Sequence, residues 1–118
     1  MTQPQRTSLD EQLPGLQLAV FEVIWPTFRW IKSIWIKELR GQFEVFVEEA
    51  ATQDEKEWDD FDYLIERVFN AGEKHPVQHT VQHGPTVPKD RGYQELMSDG
   101  VFKKIARKHA PWRLEGGR

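Results

Sequence analysis

Aromatic and aliphatic residues are concentrated between Leu16 and Ala50, and this density constrains the fold more than any other feature of the chain. Trp25, Trp30 and Trp35 lie five residues apart within this region. On a helix, at about 100° per residue, this spacing turns the three indoles in three different directions. A helix that is apolar on several sides must be covered on several sides, and a chain of 118 residues has few other elements to cover it. We therefore expect part of this surface to contact a partner.

Spacings of three and four residues predict one long helix from Thr27 to Ala50. The apolar residues at these spacings are Phe28, Ile31, Trp35, Leu39, Phe43, Phe46 and Ala50. Gly41 lies within this stripe and destabilises a helix by about 1 kcal/mol relative to alanine, so it marks either a close helix contact or a bend. Upstream, residues 16–25 are compatible with a strand as well, but we favour a helix that Pro26 breaks or kinks.

The acidic middle of the chain predicts a second helix. Thr52 and Glu55 fit a capping box at its start. The apolar face that follows at helical spacing comprises Trp58, Phe61, Leu64, Ile65 and Val68. Gly72 suits a left-handed residue that stops the helix.

The last third of the chain predicts a long loop followed by two short helices. Prolines and glycines interrupt residues 73–90, which we expect to form a loop with at most a short extended piece. A short helix is predicted around Leu96. Ser98 or Asp99 then caps a final helix, which Pro111 ends.

Together these elements predict an all-α fold, a small bundle of four to five helices with one long loop that contains proline and histidine. Residues 13–112 form a single helical domain in this interpretation, because 118 residues provide only one modest core. Residues 1–12 and 113–118 are expected to be mobile tails.

Composition places the chain among soluble globular proteins, with 38% hydrophobic and 30% charged residues. The absence of cysteine excludes disulfide bonds, thiolate nucleophiles and cysteine-ligated metal clusters. The polar N-terminus lacks the layout of a secretory signal. Glu22, Arg29 and Lys32 interrupt the one apolar run that is long enough to cross a bilayer. We therefore expect a cytoplasmic protein.

Charge is distributed unevenly along the chain. The net charge is +1 over residues 1–40, −8 over residues 41–74 and +4 over residues 75–118. An acidic middle and a basic end can attract each other within the fold, pair between two copies, or face different partners.

The aromatic helix carries the predicted partner-binding residues, which are Phe28, Trp30, Ile34 and Trp35. Tryptophan and arginine are enriched at binding hot spots, so a homodimer or partner interface fits this segment. A core helix with solvated lysines is the alternative. The mixture of tryptophan with Arg29, Lys32 and Lys37 also resembles an interfacial membrane helix, but the acidic continuation argues against anionic lipid.

The C-terminal helix carries a compact set of cations. They are Lys103, Lys104, Arg107 and Lys108 on one side of the helix, followed by Arg113. Such a patch fits the phosphate backbone of a nucleic acid or an acidic protein partner. The alternative is a helix whose last turns favour cations through the macrodipole.

Three histidines, His75, His79 and His83, lie four residues apart and are the closest approach to a metal motif. On a helix they would align on one side. Pro76 and Pro85 favour an extended segment instead, in which successive histidines lie about 13 Å apart, too far for one ion to bind two of them. A polar loop or edge strand, a pH-sensitive contact and a metal site completed by other acids are the three possibilities.

We find no motif for catalysis, since neither a Gly-x-Ser-x-Gly elbow nor a glycine-rich phosphate loop occurs. We expect no cofactor and no small-molecule substrate. The sequence therefore predicts a protein-interaction module, an accessory subunit, adaptor or inhibitor, that binds a protein partner or forms a homodimer through the aromatic helix. A nucleic-acid-binding module and a metal-binding protein are the alternatives.

Overall fold

The structure, a computed structural model, describes residues 8–115 apart from the side chain of Asp90, and it is a mixed α/β fold. The all-α prediction is therefore wrong. The described elements are helix α1 (Leu9–Val23), strands β1 (Ile31–Leu39) and β2 (Gln42–Glu49), helix α2 (Glu55–Asn70), strands β3 (His79–Gly84) and β4 (Gln94–Ser98), and helix α3 (Asp99–His109). Short 3-10 helices span Lys89–Arg91 and Pro111–Leu114.

The region predicted as one long helix is a β-hairpin. Strands β1 and β2 pair antiparallel, with Ile34 opposite Val47. Both residues of the connecting turn have positive φ, 54° at Arg40 and 77° at Gly41, as the favoured type I′ hairpin turn requires. The glycine thus serves the turn and is neither a helix contact nor a bend. Both faces of this hairpin are covered, so apolar residues occupy odd and even positions alike. With apolar residues this frequent, some of them fall at spacings of three and four by chance.

The four strands form one sheet in the order β3-β2-β1-β4. Helix α2 connects β2 to the parallel strand β3, whereas β4 runs antiparallel to β1. Strand β3 lies within the predicted loop of residues 73–90, as the short extended piece allowed there. Strand β4 replaces the short helix predicted around Leu96, because that segment pairs with Ile34 and its neighbours on β1.

The three helices pack against one face of the sheet and enclose a single core with it. The largest fully buried side chains in this core are Trp25, Phe43, Phe61, Ile24, Ile31, Ile34, Ile36, Ile65, Leu96 and Met97. Burying a side chain of this size stabilises the fold by roughly 1.5–3 kcal/mol. The indole predicted to need external cover at position 25 is therefore covered by the protein itself.

The predicted second helix is confirmed, with a different cap. The side chain of Asp54 accepts a hydrogen bond from the backbone N–H of Glu57 at 3.0 Å, so the helix begins after Asp54 and Thr52 lies outside it. Gly72 has a φ of 78° and is the left-handed residue after the helix, as predicted. Ser98 caps α3 by accepting from the N–H of Val101.

Residues 85–93 connect the two edge strands of the sheet and cross the face opposite the helices; we call them the strap. The backbone N–H of Val87 donates to Glu48 Oε2 at 2.7 Å, and Lys37 Nζ donates to the carbonyl of Arg91 at 3.0 Å. Phe46 is only 6% exposed, because the strap and its end at Tyr93 cover it. The sheet is thus sheltered on both faces.

Two further predictions concern the ends of the chain and the membrane. Helix α1 begins at Leu9, within the predicted tail of residues 1–12, and Arg113 is packed against the core, within the predicted tail of residues 113–118. Of these predicted tails, residues 1–7 and 116–118 lie outside the described part. Among the described residues, no helix has the length and apolar character needed to cross a membrane.

Candidate interaction site

The four residues predicted to form an aromatic contact surface do not lie together. Phe28 and Ile34 are 2% and 0% exposed and belong to the core, where no partner reaches them. Trp30 is half-buried on the helix side, with its ring 4.8 Å from that of Trp58. Trp35 lies on the strap side, because successive side chains of a strand point to opposite faces. The β-hairpin therefore separates residues that a helix was expected to gather.

The network around Trp35 is structural. Its Nε1 donates to Ser33 Oγ at 2.8 Å, and Ser33 Oγ donates to Glu48 Oε1 at 2.6 Å. The other oxygen of Glu48 accepts from the strap at Val87. Each polar group in this chain of bonds has a partner, which is what half-buried polar groups require. This arrangement holds the strap to the sheet.

The basic helix α3 is placed on the surface. Lys103, Lys104, Arg107 and Lys108 are all exposed, and within the described residues only Lys103 forms an ion pair, with Asp99 at 3.1 Å. The first-turn residue of α3 thus neutralises one of the four cations. The other three are available to an anionic partner.

Arg113 differs from the other four cations predicted for this patch. Its guanidinium lies 4.0 Å from the centroid of the Phe21 ring and donates from Nη1 to the Phe21 carbonyl at 3.1 Å. It also faces the ring of Phe102 at 5.4 Å. These contacts hold the C-terminal segment against α1, so we assign Arg113 to the fold and remove it from the candidate interface.

A groove of about 470 Å³ runs between α1 and α3, and we call it the α1/α3 groove. Its lining from α1 is Pro14, Gly15, Gln17 and Leu18, and its lining from α3 is Lys104, Ile105, Lys108 and His109. Leu18 and Ile105 are half-buried and supply apolar surface, while the two lysines and the histidine are exposed. The groove is open in part because Gly15 carries no side chain.

His79 and His83 lie in the extended strand β3, as the prolines indicated, and the three histidines do not converge. His79 Nε2 lies 2.8 Å from Asp62 Oδ1, and His83 Nδ1 lies 3.0 Å from Glu49 Oε1. His75 is exposed and precedes the strand. In residues 8–115 no group of three histidine, aspartate or glutamate side chains is arranged to hold a metal ion.

The groove was not predicted, because it exists only where two helices that lie about ninety residues apart in the chain pack side by side. The local signal was Gly15, which leaves one position on this face of α1 without a side chain. No family model, curated protein or solved structure significantly matches this chain.

Proposed function

We propose that this chain is a protein-interaction module and that the α1/α3 groove binds an acidic, amphipathic segment of a partner protein. The observation that carries the proposal is the combination of apolar Leu18 and Ile105 with the exposed cations Lys104 and Lys108 in one groove. An amphipathic helix has the matching chemistry. Its apolar side chains fill a groove between helices, and its carboxylates pair with lysines at the rim.

A different protein fits this groove better than a second copy of the chain. Helix α2 is the acidic amphipathic helix of this protein, but its apolar residues Phe61 and Ile65 are fully buried in its own core. A second copy would therefore offer its carboxylates to the groove without the apolar side chains to fill it. Charge pairs at an exposed rim contribute little affinity alone.

The test uses a fluorescein-labelled helical peptide with leucine on one face and glutamate on the other. In fluorescence anisotropy we expect the double variant Lys104→Glu/Lys108→Glu to bind at least about tenfold more weakly, because it replaces both rim cations by carboxylates that repel the acidic peptide. Leu18→Ser should weaken binding by a similar factor through loss of apolar contact. Circular dichroism checks that each variant is folded.

Lys103→Glu/Arg107→Glu is the matched control, since it makes the same change in charge on the same helix outside the groove lining. We expect it to change affinity by less than about twofold. Equal losses in the two double variants would mean that the peptide recognises net charge and not the groove, which contradicts the proposal.

Single-stranded nucleic acid is the second candidate ligand, and one observation favours it. The indole of Trp112, just beyond α3, is 70% exposed. Proteins that bind single strands combine cations with aromatic rings on which bases stack. If this candidate is correct, Trp112→Ala and Lys103→Glu/Arg107→Glu should each weaken binding of a thymidine oligonucleotide, affinity should fall steeply with salt, and Leu18→Ser should have no effect.

A further inference from the structure

The outer edge of β3 carries unpaired backbone groups. Strand β3 is at the end of the sheet and pairs with β2 on one side only. The N–H of Phe43 donates to the carbonyl of Gln78 at 2.9 Å, which turns the even-numbered residues of this parallel strand toward β2. The backbone N–H and C=O groups of His79, Val81 and His83 therefore point outward, away from β2, which is the one strand that pairs with β3 among the described residues.

The strand lacks the usual protection of an exposed edge. Edge strands commonly carry lysine or proline, or are covered by a loop or helix. The sequence of β3, HTVQHG, contains neither residue, and its edge is framed by Pro76 and Pro85 outside the strand. By contrast, helix α1 packs against the edge strand β4, where Gln17 donates to the carbonyl of Glu95 at 3.2 Å. A helix thus packs against the edge strand β4, whereas the outer edge of β3 is left open to a partner strand.

Carboxylates of α2 lie directly beside this free edge. The side chains of His79, Val81 and His83 point to the helix side of the sheet, where His79 contacts Asp62 and the His83 ring stacks on Trp58 with centroids 4.1 Å apart. A depression of about 360 Å³ lies between the helix and the strand, lined by Glu55, Trp58, Asp59, Asp62, Val81 and His83. Any strand added at this edge would direct alternate side chains toward these carboxylates.

We infer that the outer edge of β3 binds an extended basic peptide of a partner protein, which adds as a fifth strand and places lysine or arginine side chains against the carboxylates of α2. Backbone hydrogen bonds supply the attachment, and the charge of α2 selects the sequence. Helix α2 carries six carboxylates and only two cations, so the local field favours a cationic partner. This surface is separate from the α1/α3 groove.

A second copy of the chain is a poorer occupant of this edge. If two β3 strands paired with each other, their α2 helices would lie side by side on the same face of the joined sheet. The exposed Glu55, Asp59 and Asp62 of each copy would then approach the same residues of the other. Like charges brought together in this way oppose association.

The probe is a blocked peptide that alternates lysine and threonine over seven residues, so that one face carries the lysines. Titration into isotopically labelled full-length protein is expected to shift the backbone amide signals of His79, Val81 and His83. The double variant Glu55→Lys/Asp59→Lys should bind at least about tenfold more weakly. The matched control is Glu57→Lys/Asp60→Lys, which makes the same change in charge on the same helix. Both residues line a different depression, away from the strand, so we expect this control to change affinity by less than about twofold.

The backbone component is tested separately. Val81→Pro removes an N–H that faces outward, so it leaves the pairing with β2 intact and should abolish binding. If this variant fails to fold, a probe with N-methyl groups on alternate residues tests the same bonds on the unaltered protein and should not bind. Amide shifts that map elsewhere, affinity unaffected by the charge reversal, or a β3-mediated dimer in light scattering would each overturn the inference.

Discussion

At the scale of single residues, the sequence context predicts neither the packing of Arg113 nor the backbone conformation of Arg40. Arg113 continues a run of basic residues, yet its guanidinium stacks on Phe21 and packs against the core. Arg40 is a bulky residue with a φ of 54°, a conformation that costs L-residues other than glycine, asparagine and aspartate roughly 1–2 kcal/mol. Both cases arise because a tertiary contact or a tight turn overrides what the residue type prefers.

Arg40→Asn is expected to stabilise the protein by about 0.5–1 kcal/mol, because asparagine tolerates the left-handed conformation and Asn-Gly is the preferred pair for this turn. Urea denaturation measures the change. Arg40→Ala keeps a Cβ in the same conformation and is the control, so it should not reproduce the gain. An equal gain from alanine would mean that removing the guanidinium, and not relieving the turn, is responsible.

At the scale of elements, local sequence signals were sufficient to predict helices α2 and α3 but not to predict strands β1 and β2. The end of α2 just before the left-handed Gly72 and the capping of α3 by Ser98 follow from interactions within a few residues of each helix end. Strands β1 and β2 depend on the Arg40-Gly41 turn and on cover from both faces, which masks the alternation of side chains along a strand. The same density of apolar residues therefore suggested a helix.

Two glycines, one inside helix α1 and one just after helix α2, should respond oppositely to substitution by alanine. A Cβ at Gly15 meets no atom within 4 Å and this residue is inside α1, so Gly15→Ala should stabilise the protein by about 0.5–1 kcal/mol. Gly72 has an equally open environment but a φ of 78°, so Gly72→Ala should destabilise it by about 1–2 kcal/mol. Thermal unfolding of both variants provides the comparison, and changes of the same sign would contradict this account.

At the scale of the whole molecule, the order of strands determines which surfaces exist. Because β3 and β4 lie at opposite edges, the chain between them must cross the sheet, and the strap does so over Phe46. On the other face, helix α1 contacts both the acidic helix α2 and the basic helix α3. The charge polarity of the sequence thus becomes an acidic surface on α2 and a basic surface on α3.

Glu48 should be the residue on which the strap most depends. It accepts from Ser33 and from the backbone of Val87, so Glu48→Ala leaves the donors of two buried residues without this acceptor and should cost about 2 kcal/mol. The control is Glu44→Ala on the same strand, which loses only a pair with Lys37 and should cost under about 1 kcal/mol. Hydrogen exchange should show faster exchange at Val87 in the first variant alone; if the strap amides stay equally protected in both, Glu48 does not hold the strap.

The sequence alone determined the features that local chemistry controls: the acidic and basic segments, the second helix and its left-handed stop, the cap of the last helix, and the extended state of His79 and His83 between prolines. Only the tertiary structure decided the hairpin, the strap, the free edge of β3 and the α1/α3 groove. The physical reason is that helix ends and turns are satisfied by neighbours in sequence. Residues tens of positions apart determine strand pairing, burial on two faces and grooves between helices. A local sequence pattern does not predict which of these residues come into contact.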